Sequence, residues 1–387
     1  MKHISSKISL LLMCFMLVGA TAYAETYKGA VKKPAKKAEL ERCRRGQGSA
    51  ELSINNVRAR INTSGNMWYD GSTARYFVPK DGNSTAMFCA ALWIGGQDAN
   101  LQLRVAALKF GQSGDDFWPG PLTVDANASV DKAVCEQWDK HFKITKAEVE
   151  YFVDGFEYQG GTFVGVDASR ATEAIKTWPA HGDVSKNQSK FMAPFFDRNG
   201  DGVYSWEDGD YPYYDLSGEL CPAKQKEQWA ELGLPFIPTP TMESDTTNPN
   251  YGTGGVVKAY GGLLVDQVLK GDETIWWVFN DKGNAHTESG SENPIGLEIR
   301  AQAFAFAMND EINNMTFYSY EIINRSTFTL TNTYFSQWVD PDLGYAHDDY
   351  VGCDVERGLG YCYNGKATDG PGTGSYSGNP PAIGIDF

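Results

Sequence analysis

Past the first fifty residues, the chain alternates short apolar runs with breaks of Gly, Asn and Asp. Arg75 to Val78, Ala86 to Ile94 and Leu101-x-Leu103-x-Val105 carry the compact apolar run or the two-residue period of a strand. The same texture returns in Thr274 to Phe279, Leu297 to Met308, Met315 to Ile323 and Thr331 to Val339, which are long, aromatic and β-branched. In one of them Ala301, Ala303, Ala305 and Ala307 alternate with Gln302, Phe304, Phe306 and Met308. One face is then small and the other mostly aromatic, as where a second layer packs closely on a sheet. Between the two β-rich parts, the stretch from about residue 144 to 255 reads differently. Thr145 and Glu148 form a capping-box pair ahead of Val149 and Phe152. Ser169 to Thr177 stops at Trp178-Pro179, and Lys224 to Leu232 stops at Gly233. Pro235 to Gly255, rich in proline, reads as a loop. The predicted architecture is mainly β, an antiparallel β-sandwich over residues 49–387 with a short helical and calcium-loop insertion.

Composition narrows the function. With 42% hydrophobic and 21% charged residues in 387, the chain is neither disordered nor collagen-like. Its net charge of −15 argues against general affinity for nucleic acid or an anionic membrane. Residues 1–24 hold Lys2 and Lys7, then the apolar run Ile8 to Val18, then Ala22-Tyr23-Ala24. This is the layout of a secretory signal peptide, and the apolar run is short of the roughly 20 residues of a spanning helix. The expectation is therefore an exported protein, extracellular or at the cell surface, with no transmembrane segment after cleavage. Residues 25–48 crowd lysine and arginine around Pro34 and read as a solvated basic arm.

Cys14 leaves with the signal, so the mature chain keeps Cys43, Cys89, Cys135, Cys221, Cys353 and Cys362. An even count in an oxidising compartment permits disulfides, and sequence alone leaves many pairings open. Cys353 with Cys362, across a short loop, and Cys135 with Cys221 are two candidate pairs.

One motif has a definite mechanism. From Asp197 to Asp208, oxygen-bearing side chains stand at loop positions 1, 3 and 5 (Asp197, Asn199, Asp201), followed by Gly202 where the chain must turn sharply. The Val203 carbonyl supplies position 7, Ser205 position 9 and Asp208 position 12, the oxygen-only pattern that suits calcium. Asp at the last position resembles dockerin-type loops, and with no second matching loop the expected role is a structural staple. A further acidic cluster, Asp340, Asp342, Asp348, Asp349 and Asp354, fits no derived metal spacing. It reads as turn-forming aspartates, with a second calcium site as the alternative.

Catalytic signatures are missing. The chain has no H-E-x-x-H, G-x-S-x-G, Walker A or Rossmann glycine pattern. His141, His181, His286 and His347 read as surface or hydrogen-bonded structural residues. A glycosidase needs only two suitably spaced carboxylates, so a secreted, glycosidase-like hydrolase or its accessory domain stays as the alternative. Ten tryptophans and twenty tyrosines suit contact with sugar rings. Trp276-Trp277 on a strand would point to opposite faces, and core packing is their expected use.

Several strings occur together: Ala91-Leu92-Trp93-Ile94-Gly95-Gly96, Asp116-Phe117-Trp118-Pro119-Gly120-Pro121-Leu122, Trp178-Pro179-Ala180-His181-Gly182-Asp183, and the ion loop running on into Gly209-Asp210-Tyr211-Pro212. Trp277-Val278-Phe279-Asn280-Asp281 and Trp338-Val339-Asp340-Pro341-Asp342-Leu343-Gly344 belong to the same set, as does Asp349-Tyr350-Val351-Gly352-Cys353-Asp354. Together they resemble the amino-terminal region of large secreted Bacteroidetes proteins that carry a carboxy-terminal type IX sorting domain. The resemblance covers nearly all of the mature chain. It implies export across both membranes and release or surface attachment, and no particular activity. Such proteins are longer, and the apolar, strand-like run ending at Phe387 gives the expectation of a truncated chain. The resulting reading is a calcium-stabilised surface or extracellular module for adhesion or contact with a glycan or cell-surface polymer, without catalysis.

Overall fold

The computed structural model describes residues 42–214, 268–291 and 293–386. The signal peptide, most of the basic arm, the Lys224 to Leu232 helix, the Pro235 to Gly255 loop and Cys221 lie outside the described residues.

The fold is mainly β and antiparallel. In the first sheet, β17 (Thr331–Asp340), β6 (Cys89–Gln97), β3 (Asn66–Met67), β2 (Arg58–Asn62), β4 (Tyr76–Phe77) and β5 (Thr85–Met87) lie side by side. β1 (Ser49–Leu52) also pairs with β2, and β7 (Leu103–Ala107) with β6. The second sheet runs β16 (Phe317–Asn324), β15 (Leu297–Ala305), β14 (Glu273–Asn280) and β8 (Trp118–Pro119), with β9 (Phe142–Thr145) also on β14. A third, three-stranded sheet is β18 (Asp349–Asp354), β19 (Leu359–Asn364) and β20 (Ala382–Asp386). Two small ribbons complete the set: β10 (Phe156–Gln159) with β11 (Thr162–Val166), and β12 (Phe195–Phe196) with β13 (Tyr211–Pro212).

Side-chain alternation explains how the layers meet. Ile275, Trp277 and Phe279 on β14 join Ile299, Ala301, Ala303 and Ala305 on β15 in one core with Ala59, Ile61, Met67, Leu92 and Ile94 of the first sheet. The alanines leave room for that sheet to approach. The small face expected from sequence is therefore the sandwich interior. The other face differs from expectation, because β15 ends at Ala305 and presents Glu298, Arg300 and Gln302 as well as Phe304. These polar groups are buried. Arg300 and Arg325 each meet Glu298, at 2.9 and 3.1 Å. Burial opposes the charge on Glu298, yet the two guanidiniums hold its carboxyl below the ordinary range.

Trp276 and Val278 point away from the sandwich into a second core with Phe152, Ile175, Trp178 and Phe195. The opposed directions of the tryptophan pair agree with the sequence reading, and both rings are buried. The helix Lys146–Val153 starts at the anticipated capping box: Thr145 Oγ1 accepts the Glu148 N–H at 3.2 Å and Glu148 Oε2 accepts the Thr145 N–H at 2.9 Å. It seats Val149 and Phe152 in the second core, and burying such side chains stabilises by roughly 1.5–3 kcal/mol each. The Ser169 to Thr177 segment is two pieces, a 3₁₀ turn Ala168–Arg170 and a helical turn Glu173–Lys176 capped by Thr172. An unanticipated helix, Lys132–Gln137, lies earlier, capped by Asp131.

The cysteine pairing corrects both candidate pairs. Cys43 is bonded to Cys135, with Cα atoms 5.8 Å apart, so Cys135 is not available to Cys221. Cys353 and Cys362 are free thiols. The ladder sets Cys353 opposite Gly360 and Cys362 opposite Val351, a diagonal relation whose Cα separation of about 7–8 Å exceeds the usual disulfide span. The basic arm also ends sooner than residue 48. Arg45 Nη1 donates to the Gly111 carbonyl at 2.7 Å, and Asp139 accepts the N–H groups of Gln47 and Gly48, so residues 43–48 are fastened to the body.

Candidate functional site

The loop from Asp197 to Asp208 closes on itself through its own side chains. Asp197 Oδ1 and Oδ2 accept the N–H groups of Gly200 (2.5 Å) and Gly202 (2.9 Å). Asn199 Oδ1 accepts the Asp201 N–H at 2.9 Å, and Asp201 Oδ1 accepts that of Val203 at 2.7 Å. Gly202 has φ 71°, a left-handed conformation that an L side chain would strain, which accounts for glycine at the sixth position. Ser205 opens a 3₁₀ turn, Trp206–Asp208, that leaves Asp208 exposed. The donor types and backbone curl therefore suit a hard cation. Among the described residues, however, no three acidic, His or Cys side chains converge as a ligand group, this loop included.

What holds the loop in place is a set of contacts the sequence reading did not assign. Asp210, fully buried, spans the two ends: Oδ1 accepts the Arg198 N–H at 2.8 Å and Oδ2 that of Ser205 at 2.9 Å. Burial and the nearby charges of Asp197 and Asp201, partly offset by these hydrogen bonds, raise its pKa to about 6. His181 Nδ1 lies 2.7 Å from the Lys190 carbonyl, which can only accept, so that nitrogen carries the proton. His181 Nε2 is then the acceptor for the Tyr204 N–H at 2.7 Å. The Arg198 guanidinium lies over Phe156 and Phe163, at 4.5 and 4.6 Å from the ring centroids. The sequence held a clue: Asp210 and His181 fall inside two of the strings that carry the resemblance.

A second feature is an exposed tyrosine face on the third sheet. Tyr350 and Tyr363 are opposite one another across β18 and β19, and Tyr361 is two residues from Tyr363, so all three share a face. Tyr350 and Tyr363 stack with centroids 5.8 Å apart, and Tyr361 lies 6.3 Å from Tyr363. Their exposures of 59, 44 and 37% leave ring surface open to solvent. Tyr361 stands between Gly352 on β18 and Gly384 on β20. Its ring lies across Gly352, where a Cβ would come within 2.5 Å of Cζ. With no side chain flanking it on either neighbouring strand, this ring presents a flat surface. The Tyr361-x-Tyr363 period was the available sequence signal.

A groove of about 650 Å³ is lined by β16 residues together with Met67, Trp68, Leu92, Phe335, Ile383 and Ile385. Asp386 is the one carboxylate in its lining. The acidic cluster around Gly344 is spread over the end of β17, both ends of β18 and the loop between the two strands. Asp349 accepts the Leu343 N–H at 2.9 Å, and Asp354 pairs with Arg357. Burial, with Asp340 and Asp349 nearby, pushes Asp342 up to about 6.

Two other carboxylates are structural. Asp281 accepts the N–H groups of Ile295, Gly296 and Leu297 at 2.5 to 2.8 Å, and Asp116 those of Ala107, Glu288 and Ser289. Among the described residues no helix is long and apolar enough to cross a membrane. Comparison with family models, with curated proteins and with solved structures found no match.

Proposed function

We propose that the chain is an exported, calcium-stabilised module of an extracellular or cell-surface protein that contacts a glycan without catalysis. The observation that carries this reading is the tyrosine face of Tyr350, Tyr361 and Tyr363, a shallow aromatic surface of the kind that stacks on sugar rings through apolar contact. The groove along β16 supports binding over hydrolysis, since its lining offers one carboxylate where a glycosidase uses two. The signal-like residues 1–24 and the resemblance to type IX secreted proteins support the location. Calcium at Asp197, Asn199, Asp201, Val203, Ser205 and Asp208 would tie the loop without taking part in recognition.

The test is a glycan array probed with the purified chain, repeated with Tyr361→Ala and Tyr363→Ala. Binding that falls about tenfold in each variant, equivalent to about 1.4 kcal/mol, supports the platform. Binding unaffected by either substitution, or release of reducing ends from the bound glycan, would overturn it.

A further inference from the structure

The second sheet ends at β16, whose outer edge has no strand partner among the described residues. Its eight residues pair with β15 in unbroken register from Phe317 to Phe304 through Asn324 to Leu297. Proteins usually blunt such an edge with proline, lysine or a bulge, because its unpaired N–H and C=O groups invite another strand. The sequence Phe-Tyr-Ser-Tyr-Glu-Ile-Ile-Asn has no proline, lysine or bulge, and its one charge, Glu321, is turned to Arg300 of the neighbouring strand. The groove is lined by this strand together with Phe335 and Gln337 of β17 and Ile383 and Ile385 of β20.

The two sides of the groove differ in chemistry. Inward, Tyr318, Tyr320 and Ile322 lie against the sandwich core beside Met67 and Leu92. The Tyr320 hydroxyl has no hydrogen-bond partner among the described residues. Outward, Lys270 lies beside Phe304, and among the described residues its ammonium contacts the Ser319 hydroxyl, at 3.3 Å, and the Phe304 ring. No carboxylate among the described residues pairs with it, in a chain of net charge −15.

We propose that β16 is an acceptor edge for an extended peptide strand whose alternate residues are apolar, toward the core, and acidic, toward Lys270. Main-chain hydrogen bonds would supply affinity and the alternating pockets specificity, as in other cases of strand addition. Ile383 and Ile385 point to the opposite face of β20 from the residues paired with Tyr361, so this surface is separate from the tyrosine face.

The test uses the full chain and an acetylated, amidated eight-residue peptide in which valine alternates with glutamate or threonine. Calorimetry should show saturable one-to-one binding, and amide exchange should slow on β16. Methylating the peptide nitrogens that face the edge should weaken binding at least tenfold. Lys270→Gln, at a half-buried position, should weaken the glutamate peptide about tenfold and leave its threonine counterpart unchanged. No saturable binding up to about 1 mM would overturn the proposal, as would indifference to N-methylation. Tight binding of dodecanoate with none of the peptide would show a small-amphiphile pocket instead, and would equally overturn it.

Discussion

His141 gives the sharpest quantitative prediction. Both of its ring nitrogens are enclosed and without a hydrogen-bond partner, and the ring packs against Trp277 at 5.5 Å. This is neither the surface nor the hydrogen-bonded position expected of it. Burial is the largest influence on its pKa; Asp139 opposes it and Arg60 adds to it, and the outcome is a fall from 6.5 to about 3. Between those values the unfolded chain binds a proton that the folded chain excludes. Stability contributed by the neutral ring is therefore fully present above pH 6.5 and is lost as the pH falls toward 3. Each pH unit inside the window costs about 1.4 kcal/mol, so moving from pH 8 to pH 5 should cost about 2 kcal/mol at this site. His141→Phe keeps a ring against Trp277 and removes the titration without breaking a hydrogen bond. Urea unfolding of both proteins at pH 8 and pH 5 isolates the effect, because other titrating groups cancel in the difference. The variant should be about 2 kcal/mol less acid-sensitive than the parent. Equal acid sensitivity would refute the enclosure of an uncharged ring.

Four further outcomes are expected. Asp201→Ala should lower the melting temperature in calcium and have little effect in excess chelator, since a ligand at about 100 times its Kd stabilises by about 2.7 kcal/mol; equal destabilisation in both conditions would exclude ligation. Cys43→Ser should cost about 4 kcal/mol, because the bond closes a loop with a sequence separation of 92. Alkylation of the native oxidised chain should mark Cys353 and spare Cys89 and Cys362, which are buried and whose thiols burial pushes up to about 12. Ala303→Leu should cost about 1–3 kcal/mol by overfilling the space between the sheets, and an unchanged melt would show that the interface has slack.

The fold was legible where local chemistry and burial agree. The Ala301-Ala303-Ala305 alternation, the opposed Trp276 and Trp277 and the Thr145–Glu148 capping box each depend on near neighbours, and each is found where the pattern put it. Pairings between distant segments were not legible. Nothing near Cys43 signals Cys135, and the docking of Arg45 on Phe110 and Gly111 depends on how the chain returns. The loop's oxygen spacing was visible in sequence, whereas its anchors, Asp210 and His181, bind backbone groups that no side-chain motif announces. Likewise, Tyr361 and Tyr363 signal a strand, but only pairing with β18 brings Tyr350 beside them.

β14 belongs to both cores at once, with Trp277 in the sandwich and Trp276 among the helices and loops behind it. Neither half can come apart without stripping one face of that strand. The two cores should therefore melt in a single cooperative transition rather than as separate units. The adjacent indoles can report this: with ten tryptophans in the chain, the signal removed by Trp276→Phe and that removed by Trp277→Phe, each taken as the difference from the parent, isolate one indole per core, and the two difference signals should change together.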